Sequence, residues 1–133
     1  MNVKKEFWSG RYISGFTGFL TNVGDTNSFT LSDGIFKSPR NGIFEFSASV
    51  FHWGVEGTPN NILAVVKNGV QVLKFVNGVG NPLPDLTLTF NWFMELKKDD
   101  KVRLQVVSGV FVCGGYGDTN DNNCIFNGKH IKS

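Results

Sequence analysis

No stretch of this chain is apolar for long enough to cross a membrane, and its opening lacks the apolar core of a signal peptide. Met1–Gly10 is polar and charged instead. The chain is therefore either cytosolic or begins inside a longer secreted protein. Helix-period segments of useful length are missing too, which excludes a bundle or coiled coil. Glycosylation acceptors of the form N-x-Ser/Thr are absent. The net charge is only +2 and the basic residues are scattered. That is too weak a field to argue for nucleic acid or an acidic membrane surface. The densest charged run, Lys97-Lys98-Asp99-Asp100-Lys101, cancels itself and reads as a solvated turn.

Catalytic vocabulary is equally thin. There are 2 histidines, His52 in a loop and His130 at the tail, and 2 cysteines. None stands in an H-E-x-x-H, nucleophile-elbow or Cys/His signature. A Cys113–histidine nucleophilic pair has no support beyond composition. An enzyme is not expected.

What the 133 residues do have is 13 Phe and 16 Gly against 4 Pro. That fits many short strands with Gly- and Asn-rich turns in one domain over 1–133, with 1–6 as a flexible tail. The stretch Phe29–Ala48 organises the rest. A turn cluster, Ser38–Gly42, separates Ile35-Phe36 from a strand whose Phe44, Phe46, Ala48 and Val50 share one face. Glu45, Ser47 and Ser49 alternate onto the other, the period-2 pattern of a half-buried antiparallel strand. Gly42 marks a backbone position that a Cβ would strain. Asn68-Gly69 between Ile62–Val66 and Val70–Val76 is a strong hairpin signal. Leu86, Leu88, Phe90 and Trp92 alternate with polar residues, as do Val102, Leu104 and Val106; Val110–Cys113 is a further strand. Eight to ten strands with such loops predict a two-sheet sandwich or jelly roll.

In this order the motifs resemble the globular head of the complement C1q family, within the tumour-necrosis-factor-like jelly rolls. The family pattern reads F-x5-N/D-x4-aromatic-x6-F-x5-G-x-Y-x-F-x-F/Y. Phe19, Asp25, Phe29, Phe36, Gly42 and Phe46 follow it, with one residue fewer between Asp25 and Phe29, Phe44 where Tyr is usual and Ala48 for the last aromatic. Leu63–Gly69 resembles the strand ending in N-G. Lys98–Leu104 resembles G-D-x-V-x-L with Asp99 in place of glycine, and Phe126-Asn127-Gly128 resembles the closing F-x-G. Lys129-His130-Ile131-Lys132 replaces the usual apolar ending. The resemblance implies an all-β, ten-stranded jelly-roll sandwich that assembles as a secreted homotrimer and binds through surface loops.

Three groups of residues carry the candidate chemistry. Gly114–Asn123 is rich in carboxylates and amides, the donors a hard cation takes. The corresponding family loop holds calcium at the trimer apex in some members, which carries over to Asp118 and Asp121 with Asn120 and Asn122 as partners. The alternative is a solvated turn whose Asn and Asp cap their own backbone. Cys113 and Cys124 bracket this loop, either as a disulfide that pins it and favours an extracellular setting or as two buried thiols; Cα spacing decides. His52, Trp53 and Glu56 in the longest mid-chain loop, with Tyr116, are candidate ligand contacts, since loop aromatics stack on sugars or anchor protein partners. Phe7, Trp8 and Tyr12 exceed the needs of a small core and are expected at the trimer seam, and Trp92, on a strand face, is expected in the core or at that interface.

The leading expectation is lectin-like innate immune recognition of carbohydrate or protein ligands on cell or microbial surfaces. A signalling ligand or adaptor for a protein receptor, or a trimerising cap of a collagen-like or matrix protein, are the rivals.

Overall fold

A computed structural model describes residues 5–14, 29–30, 34–53, 61–77, 86–113 and 124–133. Their order is β1 (Lys5–Phe7), β2 (Phe29–Thr30), β3 (Ile35–Lys37), β4 (Gly42–Trp53), β5 (Asn61–Lys67), β6 (Val70–Asn77), β7 (Leu86–Leu96), β8 (Lys101–Ser108), β9 (Val110–Cys113) and β10 (Ile125–Lys132). Two antiparallel sheets result. In the second sheet the order is β2-β3-β8-β5-β6.

The first sheet is built on β4. Strand β7 runs along one edge of β4, from Gly42↔Leu96 to His52↔Leu86. The other edge is shared end to end. Strand β10 covers Ile43–Ser49 and β9 covers Phe51–Trp53, with β1 outside β9. The period-2 pattern is realised: Phe44, Phe46, Ala48 and Val50 are buried while Glu45, Ser47 and Ser49 are partly exposed.

Phe46 lies at the centre of the core. Its ring stacks on Trp92 at 5.3 Å and meets Phe36 edge-on at 5.0 Å and Phe126 at 5.9 Å. Phe75 extends the cluster to Phe90 and Trp92. Leu63, Val65, Val102, Leu104 and Val106 close it from the second sheet.

The two glycine signals have separate physical reasons. At Asn68-Gly69 both residues have positive φ, 50° and 84°, as a two-residue hairpin turn demands. At Gly42 the reason is crowding: a Cβ would lie 2.6 Å from both the Lys132 carbonyl oxygen and His130 Nε2.

The N-terminal segment departs from expectation. Lys5 and Glu6, expected in a tail at 1–6, belong to β1 and pair with Cys113 and Val112. The reason is Phe7, whose burial against the core holds the strand to the edge of β9. The chain then crosses to the second sheet, where the Gly10 and Ile13 N–H groups donate to Val106 and Leu104 and Tyr12 pairs with Gln105. Strand β8 crosses the opposite way into β9 through Gly109 (φ 95°). The two crossings lie side by side, forming one bent ribbon that joins the sheets.

Three turns meet at the end where β4 begins. Asp100 accepts from Lys97 N–H at 2.8 Å and from Asn68 Nδ2 at 3.0 Å, and Lys67 Nζ stands 3.7 Å away. Asn68 Oδ1 accepts from Lys101 N–H, and Ser38 exchanges backbone bonds with Asp99 and Asp100. The Lys97 N–H bond, then that from Asn68, holds the Asp100 carboxyl below its ordinary value; Lys67 adds to this, and partial burial opposes it. A depressed carboxylate stabilises the fold above its unfolded value near pH ~3.9 and loses that effect as pH falls through the folded one. The stability difference between wild type and Asp100→Asn is therefore expected to hold from pH 7 to 5 and to shrink below about 4, as read by urea unfolding. A difference that is constant down to pH 2 would contradict it.

Asp99, which stands where the family pattern has glycine, adopts φ 74°. The turn is closed by Asp100 N–H donating to Lys97 O, so Asp99 occupies the position that favours glycine. Asp99→Gly removes left-handed strain of about 1 kcal/mol or somewhat more, against a backbone-entropy cost of similar size. It also gives up the exposed 3.6 Å contact to Lys37. The expected change in thermal midpoint is within a few degrees, far smaller than for a side chain inserted at a buried glycine.

Candidate functional site

Strand β9 ends at Cys113 and β10 begins at Ile125, yet the two lie in line along one edge of β4: Val112 faces Phe51 and Ile125 faces Ser49. The intervening residues are thus inserted into an otherwise continuous strand line. Cys113 and Cys124 close the base of the insertion with a disulfide at a Cα–Cα distance of 5.3 Å. Both are buried, and Cys124 Sγ lies 3.3 Å from the Val112 carbonyl oxygen. The bridge settles the alternative between disulfide and thiols, and it removes Cys113 as a thiolate nucleophile.

The second candidate loop leaves the end of the same strand. His52 and Trp53 are the last residues of β4, opposite Phe111 and Val110. Ser49, beside the disulfide-closed base, and Trp53 are four residues apart, about 13 Å along a strand. One strand therefore positions both candidate loops at neighbouring points. Glu56, Tyr116, Asp118, Asn120, Asp121 and Asn122 lie outside the described residues. Among the described residues no cluster of three or more His, Cys, Asp or Glu could hold a metal ion.

The four aromatics considered for the seam separate. Phe7 and Trp92 are buried in the chain's own core, because both face the space between the sheets. Tyr12 is half-buried beneath the Arg103 guanidinium, 3.8 Å from its ring centre. Trp8 is 49% exposed. The other exposed large apolar side chains among the described residues are Val70, Val72, Leu73 and Val76 on the edge strand β6, and Ile43, Phe93 and Ile131 in the first sheet. Alternation in β6 and β7 carried that signal, although alternation alone does not say which face is inside. An open crevice of about 310 Å³ between Asn41, Gly42, Glu95, Lys97 and Ser133 contains none of the expected site residues.

Two antiparallel sheets enclosing an aromatic core, with a clasped loop set into the edge of the longest strand, define a jelly-roll sandwich of the type that presents loops from a rigid frame. The chain belongs to the C1q domain family, whose family model matches residues 3–130. Among solved structures it is similar to the globular domain of zebrafish complement 1qA, with 17% identity and a TM-score of 0.57, over 99% of this chain and 98% of that one. Rabbit GITRL is more distant, with 14% identity and a TM-score of 0.41 over 65% and 76% of the two chains. No curated protein matches the sequence.

Proposed function

We propose that this chain is a non-catalytic, homotrimeric C1q-type recognition module that binds surface carbohydrate through its loops, a lectin-like role in innate immunity outside the cell. The disulfide-closed insertion 114–123 carries the reading. A bridge at the base of a polar loop restricts its conformations before binding, so less entropy is lost when a ligand docks. It also fits an oxidising compartment.

Asp118 and Asp121, with the amides of Asn120 and Asn122, are a hard-cation donor set. Two carboxylates per chain are few for calcium, so such a site needs several chains to share it. Trimer formation is supported by the unpartnered apolar side chains on β6 and the first sheet, with Val70 and Val76 each 62% exposed and Phe93 63%. Surfaces of this kind mark association sites. Three copies multiply weak contacts by His52, Trp53, Glu56 and Tyr116 into avidity.

The test is binding of the purified protein to a glycan and bacterial-surface panel, in calcium and then in chelator, with molar mass from light scattering. Selective binding lost in chelator by a trimer is the expected result. A blank panel from folded protein would overturn the lectin reading in favour of a protein receptor.

A further inference from the structure

The outer face of the second sheet has a composition that the loops do not explain. Its core-facing residues are Leu63, Val65, Phe75, Val102, Leu104 and Val106. Alternation then turns Lys37 of β3, Lys101, Arg103 and Gln105 of β8, and Gln71 and Lys74 of β6 outwards. The register places them together: Lys37 faces Lys101, Val66 lies between Arg103 and Gln71, and Ala64 lies between Gln105 and Lys74. No described strand position on this face carries a carboxylate. The neighbouring acids, Asp99 and Asp100, sit in the rim turn, where they engage Lys37 and Lys67.

Arg103 is the built part of this surface. Its guanidinium carbon lies over the Tyr12 ring, 3.8 Å from the ring centre, its Nε is buried with no hydrogen-bond partner, and no carboxylate among the described residues pairs with it. A stacked guanidinium is held in one plane and keeps its charge for an incoming anion. Two amides are fixed beside it: Gln71 Nε2 donates to Gln105 Oε1 at 2.8 Å, and Gln105 Nε2 donates to Gly10 O at 3.1 Å.

We propose that this face is a second binding site, distinct from the loops, for the carboxylate or sulfate groups of an acidic polysaccharide. Charge complementarity selects a polyanion. Strand spacing sets Arg103 and Lys74 about 12 Å apart, two strands across and two residues along, with Lys101 about 7 Å from Arg103 on its own strand, so successive anionic groups of an extended chain can each meet a cation. The centre of the face selects glycan over peptide. Ala64 and Val66 are 0% and 1% exposed, so the centre of the face offers no open apolar surface to peptide side chains; Val76, two residues from Lys74, is exposed at its far end.

The experiment measures affinity for heparin, hyaluronan and polyglutamate in chelator, with neutral dextran as blank, over a salt series. Wild type is expected to bind heparin, hyaluronan or both, to ignore dextran, and to weaken as salt rises. Arg103→Gln should weaken this binding about tenfold, the scale of one lost charge-assisted contact. The exposed pair Lys74→Gln/Lys101→Gln should weaken it several-fold without disturbing the Arg103–Tyr12 stack; thermal unfolding checks each variant. Lys129→Gln/Lys132→Gln in the other sheet should leave it unchanged. Absence of binding to both glycans, equal loss in the Lys129/Lys132 variant, no loss in the Lys74/Lys101 variant, or equal affinity for polyglutamate would each overturn the proposal. Loss of loop binding in chelator does not affect it, so the two sites fail separately.

Discussion

Phe46→Ala is expected to lower the unfolding free energy by about 3–5 kcal/mol. The ring is fully buried and in contact with Phe36, Phe44, Trp92 and Phe126. Its removal forfeits the transfer of a whole phenyl group and leaves a cavity between two sheets. The sheets cannot close over that cavity, since the bent ribbon and the three-turn cluster pin them at separate places. Gly128 shows how tightly the space is filled: a Cβ there would come within 2.7 Å of Phe36 and 2.8 Å of Phe46. Domains of this kind are stable by roughly 5–15 kcal/mol, so the loss is a large share of the total. Urea unfolding with an unchanged slope is the measurement, and a shift worth less than about 1 kcal/mol would show that the core is not centred on this ring. Phe93→Ala is the contrast. At 63% exposure its truncation should barely alter the stability of the isolated chain, while reducing self-association measured by light scattering.

Removal of the disulfide by Cys113→Ala/Cys124→Ala should cost about 3 kcal/mol on the chain-entropy estimate for a loop of this length. The bridge spans 11 positions and closes the insertion where β9 and β10 meet on β4. Its loss should also act locally, since the unclasped insertion opens more readily than the rest of the domain. Limited proteolysis should then cut within 114–123 first, while heat unfolds the whole domain at a lower midpoint. An unchanged midpoint would mean that pairing with β4 alone fixes the base of the loop.

The sandwich was legible from the sequence because its signals are local and periodic. Phe44, Phe46, Ala48 and Val50 alternate, Asn68-Gly69 demands its turn, and Gly42 has no room for a Cβ. The aromatics at the N-terminus were harder to place. Phe7 reads the same from sequence whether it packs into its own chain or into a neighbour, and only its burial in the core between the sheets resolves the choice. Trp92 posed the same ambiguity, and its stacking on Phe46 assigns it to the core. The face around Arg103 gave no signal because its members come from four separate stretches of chain, and only the register gathers them. The clasped insertion was half visible: two cysteines bracketing a polar run suggest a loop, but that the strand resumes its line beyond it follows from the register with β4.

The bent ribbon that joins the sheets also sets an order of assembly. Lys5 pairs with Cys113 and Phe7 with Phe111, so the first described strand of the domain to be synthesised has its place beside one of the domain's last. During synthesis β1 cannot take its place until β9 has emerged, and its docking then completes the ribbon between the sheets. Phe7, the apolar anchor of this short strand, is open to chance partners in that interval, and faster elongation would shorten it.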